Sequence, residues 1–124
     1  MITPYNAQIA ELREHITPLS KFWKALTIEV ATIDAFQGRD CDIVLYSTVR
    51  SNKELRLGFL KDWRRLNVAL SRAKQLLIIV GDMLTLERGR AGQSGNPYQE
   101  LVSYLRKNPQ DCLIENLELE VSRG

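Results

Sequence analysis

Residues 62–82 read DWRRLNVALSRAKQLLIIVGD, and a change of period inside this stretch decides the fold. Asp62 has the short carboxylate that suits a helix cap, and the spacing after it predicts a helix from Trp63 to about Ala73. Leu66, Leu70 and Ala73 form its apolar stripe. Leu76-Leu77-Ile78-Ile79-Val80 then shows no polar face, as expected of a strand buried in a parallel sheet, and Gly81 closes it.

The same alternation extends outward in both directions. Ile2 reads as the tail of a strand that Thr3-Pro4 breaks, and a short helix follows from Asn6 to about His15, with Ile9, Leu12 and Ile16 on one face. Thr17-Pro18 ends that pattern. The β-branched run Ile28–Ile33 predicts a strand, a polar turn carrying Gln37 and Gly38 follows, and Ile43–Val49 predicts another strand. Arg50–Lys61 reads as a charged loop. Downstream, Arg88–Asn96 is a loop, Pro97 opens a helix running to Lys107, and Leu113-Ile114 reads as a last short strand. Strands alternating with helices predict an α/β fold, a parallel sheet with helices on both faces. Ligands of such sheets gather at the carboxyl ends of the strands, so the turns Asp34–Asp40 and Arg50–Asn52 are both expected there.

With 124 residues the chain suits a single domain spanning 1–124. Its 44% hydrophobic and 26% charged residues are those of a soluble globular protein, and a net charge of +2 excludes a basic arm that coats nucleic acid by charge alone. Any nucleic-acid contact must come from a local patch. Cys41 and Cys112 form no CxxC pair, and with His15 as the one histidine no zinc site is expected. Free thiols fit a reducing cytoplasm. Met1-Ile2-Thr3-Pro4-Tyr5 lacks the regions of a signal peptide, and no apolar run approaches the roughly 20 residues that cross a bilayer.

Three stretches carry candidate chemistry. In Thr32–Asp40 a glycine, Gly38, permits close approach of backbone to a phosphate or ribose, with Gln37 and Asp40 supplying an amide and a carboxylate. A solvated loop with a turn glycine fits those residues equally well. In Asp62–Lys74 a separation of seven residues brings Arg65 and Arg72 to one helix face, where planar donors suit phosphate oxygens. Exposed arginines that merely stay hydrated are the commoner outcome for a helix considered alone. In Ile2–Gln8 a strand end opens into a helix whose amides and hydroxyls suit a backbone phosphate, or are simply a capped helix start. The sequence contains no GxxxxGK[ST] loop for a triphosphate and its magnesium, and no apolar strand ending in an Asp-Glu pair.

Taken in order, ITPYNAQ, IDAFQGRDCDIVLYSTVRSN and DWRRLNVALSRAKQLLIIVGD resemble the carboxyl-terminal half of superfamily 1 helicases. The resemblance is greatest to the branch holding the nonsense-mediated-decay RNA helicase and the nuclease-helicase of Okazaki-fragment processing. It covers Ile2 to about Asp82, roughly two-thirds of the chain.

That resemblance implies a RecA-like second motor domain, cut away from the first domain that holds ATP and Mg2+. It makes Arg72 the arginine finger on the γ-phosphate. Gly38 and Asp40 line the nucleotide site, Asp40 near the ribose or terminal phosphate, where many relatives carry Glu. Gln37 couples that site to a bound strand, and Thr3, Thr32 and Arg50 touch the strand's phosphates. Arg65 belongs either to the nucleotide side or to packing of the loop. The implied partners are single-stranded DNA or RNA and the amino-terminal RecA-like domain, and the implied chain is part of a longer protein, inactive by itself. The rival expectation is a non-motor module that kept the fold and binds single strands or a protein.

Overall fold

The computed structural model describes residues 1–20, 22, 26–36, 38–49 and 52–117. In chain order they form β1 (Ile2–Thr3), α1 (Asn6–Ser20), β2 (Ala31–Thr32), a 3-10 turn (Asp34–Phe36) and β3 (Cys41–Ser47). A second 3-10 turn (Gly58–Lys61) leads to α2 (Trp63–Ser71), β4 (Ala73–Val80), α3 (Met83–Arg88), a third 3-10 turn (Gly92–Ser94) and α4 (Pro97–Lys107). The four strands are all parallel in the order β2-β1-β3-β4. This is the α/β, RecA-like arrangement expected of the sequence.

The ladder between β3 and β4 is the long one, running from Cys41 opposite Ala73 to Ser47 opposite Val80, with an irregularity between Cys41 and Ile43. β1 and β2 are two residues each. Pro4 has no N–H to extend β1, so the strand expected over Ile28–Ile33 finds ladder partners only at Ala31 and Thr32.

Alternation along β3 and β4 sends Val44, Tyr46, Leu77 and Ile79 to one face, where α2, α3 and α4 cover them. Leu57, Leu66, Ala69, Leu86 and Tyr98 fill the same core. On the other face α1 packs against β1 and β2, and its Gln8 Nε2 donates to Ser47 Oγ at 3.1 Å. Helices thus occupy both faces. Beyond α1, however, Leu76, Ile78 and Val80 are 49%, 40% and 39% exposed, and Ile43 is 54% exposed. The expectation of a strand buried on both faces holds for only one face of β4, because β4 is the sheet's edge and α1 does not reach it.

Local chemistry accounts for the helix ends. Asp62 Oδ1 accepts from Arg64 N at 3.0 Å and caps α2 as expected. The helix ends at Ser71 rather than Ala73, which instead opens β4. Asp82 caps α3 by accepting from Leu84 N, with Thr85 Oγ1 donating to its second oxygen at 2.8 Å. Asn96 caps α4 and places Pro97 in the first turn, where its missing N–H costs nothing. α1 continues through Pro18 to Ser20; a proline this near the end forfeits one late hydrogen bond and fits the helical φ. Leu113-Ile114 pairs with no strand among the described residues, and Leu113 is 81% exposed.

One polar contact is sealed inside the core. The hydroxyls of Tyr46 and Tyr98 meet at 2.9 Å, with both side chains buried. Burial drives both phenols above their usual pKa, so folding favours the neutral pair. Stability from this pair is therefore complete below about pH 10 and declines above it, as tyrosines of the unfolded chain ionise. Tyr46→Phe alone strands the Tyr98 hydroxyl and costs about 1–3 kcal/mol, whereas Tyr46→Phe with Tyr98→Phe costs less than the two single changes summed. Urea denaturation of the four proteins checks this, and strict additivity contradicts it.

Candidate functional site

Because Cys41 pairs with Ala73, the residues just ahead of them, Asp40 and Arg72, lie side by side at the amino ends of β3 and β4. Cys41 N donates to Arg72 O at 3.0 Å, and Arg72 Nη1 stands 3.7 Å from Asp40 Oδ1. Arg72 caps α2, so its side chain emerges where the backbone turns from helix to strand. Its Nη2 donates to Ser71 Oγ at 3.1 Å, and the side chain is only 21% exposed. Its Nε is buried with no hydrogen-bond partner among the described residues. Leaving such a donor unmatched costs about 1–3 kcal/mol. A phosphate oxygen is the acceptor that guanidinium geometry suits.

Arg65 lies seven residues earlier, about 10 Å back along the helix axis. Its Nη2 donates to Asp34 Oδ2 at 3.3 Å, and its Nε is 4.0 Å from Asp62 Oδ2. Asp34 follows β2 and so stands at the carboxyl edge, while Asp40 precedes β3 at the amino edge. The segment joining them is tied to α2 at each end, by Asp34 to Arg65 and by Asp40 to Arg72. Such exposed pairs contribute little stability, about 0–1 kcal/mol each, so they hold geometry more than they hold the fold.

Within that segment Gly38 has φ +81°, and an added Cβ would meet nothing within 4 Å. Glycine is needed here for its left-handed backbone, and the space in front of it is open. Arg39 faces elsewhere: its guanidinium pairs with Glu29 at 3.0 and 2.7 Å and stacks 4.5 Å from the centroid of the Phe36 ring.

The expected site residues therefore divide. Gly38, Asp40, Arg65 and Arg72 line one side of the molecule along α2 and its tied segment. Thr32 sits at the carboxyl end of β2, its Oγ1 accepting from Ala35 N at 3.2 Å. Thr3 is wholly buried and its hydroxyl accepts from Tyr5 N at 3.4 Å, so its side chain is not presented to a strand. Gln37 and Arg50 lie outside the described residues. The expectation that both polar turns share the carboxyl edge is corrected: Asp34 and Asn52 do, but Asp40 lies at the opposite end. β3 begins directly after Asp40, and its seven residues separate the two ends by about 20 Å.

At the carboxyl ends of β1 and β3 lies an open groove of about 640 Å³, lined by residues that include Tyr5, Gln8, Glu11, Val49, Asn52 and Arg56. Tyr5 and Gln8 fall in the stretch singled out from the sequence. Asn52 closes a turn expected at this edge, whereas Arg56 was missed as a site residue, since a charged loop after a strand carries no periodic signal.

A parallel α/β sheet with a capping arginine beside a turn carboxylate at one edge, and a groove at the other, defines a RecA-like domain. The chain belongs to the AAA domain family, whose model matches residues 1–84. It is 43% identical over 118 residues to DNA polymerase alpha-associated DNA helicase A of Saccharomyces cerevisiae, covering 95% of this chain and 16% of that protein. It is 39% identical over 125 residues to the ATP-dependent helicase NAM7 of the same yeast, covering 96% of this chain and 12% of that one. With the DNA replication ATP-dependent helicase/nuclease DNA2 of Xenopus tropicalis it shares 47% identity over 89 residues, 71% of this chain and 8% of the relative. The chain thus spans a small fraction of the length of the curated relatives it matches. These are superfamily 1 helicases of the branch that the three motifs resemble.

Gly38→Ala forces an L-residue into the left-handed region without any clash, so it lowers stability by about 1–2 kcal/mol from backbone strain alone. Chemical denaturation measures this, and an unchanged midpoint would show that the turn does not keep its positive φ.

Proposed function

We propose that the chain is the second motor domain of an ATP-dependent DNA or RNA helicase or translocase, in which Arg72 serves as the arginine finger. The observation that carries this reading is the placement of Arg72: 21% exposed, anchored by Ser71 and Asp40, and with its Nε left without an acceptor among the described residues. The similarity to ATP-dependent helicases supports it.

In this reading the amino edge of the sheet faces the nucleotide. Gly38 offers backbone next to open space, Asp40 a carboxylate for a ribose hydroxyl or for orienting Arg72, and Arg65 holds the tied segment through Asp34. Bound ATP supplies the transferable phosphoryl group, and Mg2+ offsets its charge; both are held mainly by the first motor domain, since this sequence has no phosphate loop. Arg72 contributes a cation aimed where charge grows in the transition state. When phosphate oxygens compete for its guanidinium, Asp40 loses its partner. The segment from Asp40 back to Asp34 and Thr32 is then freed at one end. Nucleotide state thereby reaches the carboxyl edge, where Thr32 and the Tyr5–Asn52 groove meet the single strand; a strand contact by Arg50 and a coupling role for Gln37 rest on the family resemblance. Contacts to strand phosphates are indifferent to base sequence.

In the longer protein, Arg72→Ala lowers ATP turnover on the order of 10³-fold or more while single-strand affinity stays largely intact. Steady-state hydrolysis and strand-binding titrations check both halves, and an unchanged turnover refutes the finger role. The chain by itself hydrolyses ATP no faster than background.

A further inference from the structure

Among the described residues, Val49 (φ +63°) and Leu55 (φ +53°) are the two other than glycine with a left-handed backbone, and both lie in the loop that follows β3. Valine is poorly suited to that conformation, because its branched Cβ crowds the backbone carbonyl that follows. Fixed structure stands on either side of it. Just ahead, Thr48 is fully buried, and its N and Oγ1 donate to Val80 O at 3.0 and 3.4 Å. Further along, Asn52 Nδ2 donates to Arg56 O and Asn52 Oδ1 accepts from Arg56 N, each at 2.9 Å. Arg90 N donates to Leu55 O and Leu57 N to Arg90 O, which makes an isolated parallel bridge between Arg56 and Arg90. The strain at Val49 persists because its surroundings are held in this way.

Packing inside the protein does not account for that strain, since Val49 is 45% exposed and lines the groove at the carboxyl ends of β1 and β3. Glycine would make the same turn without strain. What valine adds is a branched apolar group facing the groove. The other lining residues decide what that group meets. Glu11 and Glu54 repel phosphate from the interior, whereas Tyr5 and Ala7 add apolar surface beside Val49. Such a lining suits the face of a base or the carbon side of a sugar, with the strand's phosphates turned away.

We propose that Val49 is a positioning residue for the single strand, its strained turn pressing the isopropyl group against a base or sugar lying in this groove. The proposal rests on the strand-binding reading above and adds to it an apolar contact that carries no charge. A side chain whose backbone is fixed on both sides loses little freedom when the strand arrives, so the contact sets the strand's position at small entropic cost.

The test uses the longer protein and a labelled oligothymidylate strand, with affinity measured across a salt titration and stability by urea denaturation. Val49→Gly and Val49→Ala both remove the isopropyl group and bind the strand on the order of fivefold more weakly. The glycine variant denatures at higher urea than the alanine variant, because only glycine relaxes the turn. Neither changes the slope of log affinity against log salt, since no phosphate contact is lost. Val49→Ile keeps a branched apolar group and binds as the wild type does. Free thymidine, matched to the strand's nucleotide content, leaves binding unchanged. Glycine and alanine variants with wild-type affinity overturn the contact while leaving the strand-binding reading intact. Weaker binding with a shallower salt slope also overturns it, because the loss is then of phosphate contacts. Displacement of the strand by thymidine overturns it as well, making the groove a site for the free nucleoside. Wild-type protein that binds no strand overturns both readings together.

Discussion

The parallel ladder between β3 and β4 is the constraint on which the remaining geometry depends. Its register sets Cys41 opposite Ala73, and that alone brings a turn carboxylate, Asp40, against a helix-capping arginine, Arg72. Neither residue is inside the ladder. Each is fixed because the next residue is hydrogen-bonded, a more reliable restraint than the exposed ion pair between them. A slip of one residue would turn Val44 and Tyr46 out of the core, so hydrophobic burial protects the position of the arginine.

The same ladder separates two kinds of chemistry. Arginine, carboxylate and the left-handed glycine gather along α2 toward the amino edge, while the groove occupies the carboxyl edge. What joins them is the segment from Asp34 to Asp40, tied to α2 at both ends by pairs too weak to matter for stability and well placed to be exchanged. Weak ties suit a coupling element, because a phosphate can compete for Arg72 without unfolding anything.

The legible part of the structure was the part with periodicity. Residues 63–80 announced a helix and an apolar strand, and Asp62 and Pro97 marked two helix starts that stand as expected. α3 went unread, although Asp82 and Thr85 form the cap that would have signalled it. The strand at Ile28–Ile33 was read too long because propensity is local and pairing is not: a two-residue neighbour permits a two-residue ladder. Residue types and helix spacing offered Arg65, Arg72, Gly38 and Asp40 as candidates, and the structure places them along α2 and its tied segment. The edge of Asp40 was misplaced, since a turn that follows one strand also precedes another. Thr3 was read as available when its hydroxyl is buried and spent on Tyr5, a fact of packing with no sequence signal. The Arg56–Arg90 bridge joins residues 34 positions apart and was invisible for the same reason.

Hydrogen exchange of the longer protein, with a single strand or a non-hydrolysable ATP analogue added separately, tests the central claim that two ligands meet opposite edges of one sheet. The account predicts that the strand slows exchange in segments covering Tyr5–Gln8 and Asn52–Arg56, and that the analogue does so around Gly38–Cys41 and Ser71–Ala73. Protection of Gly38–Cys41 and Ser71–Ala73 by the strand, with the groove segments unmoved, would contradict it.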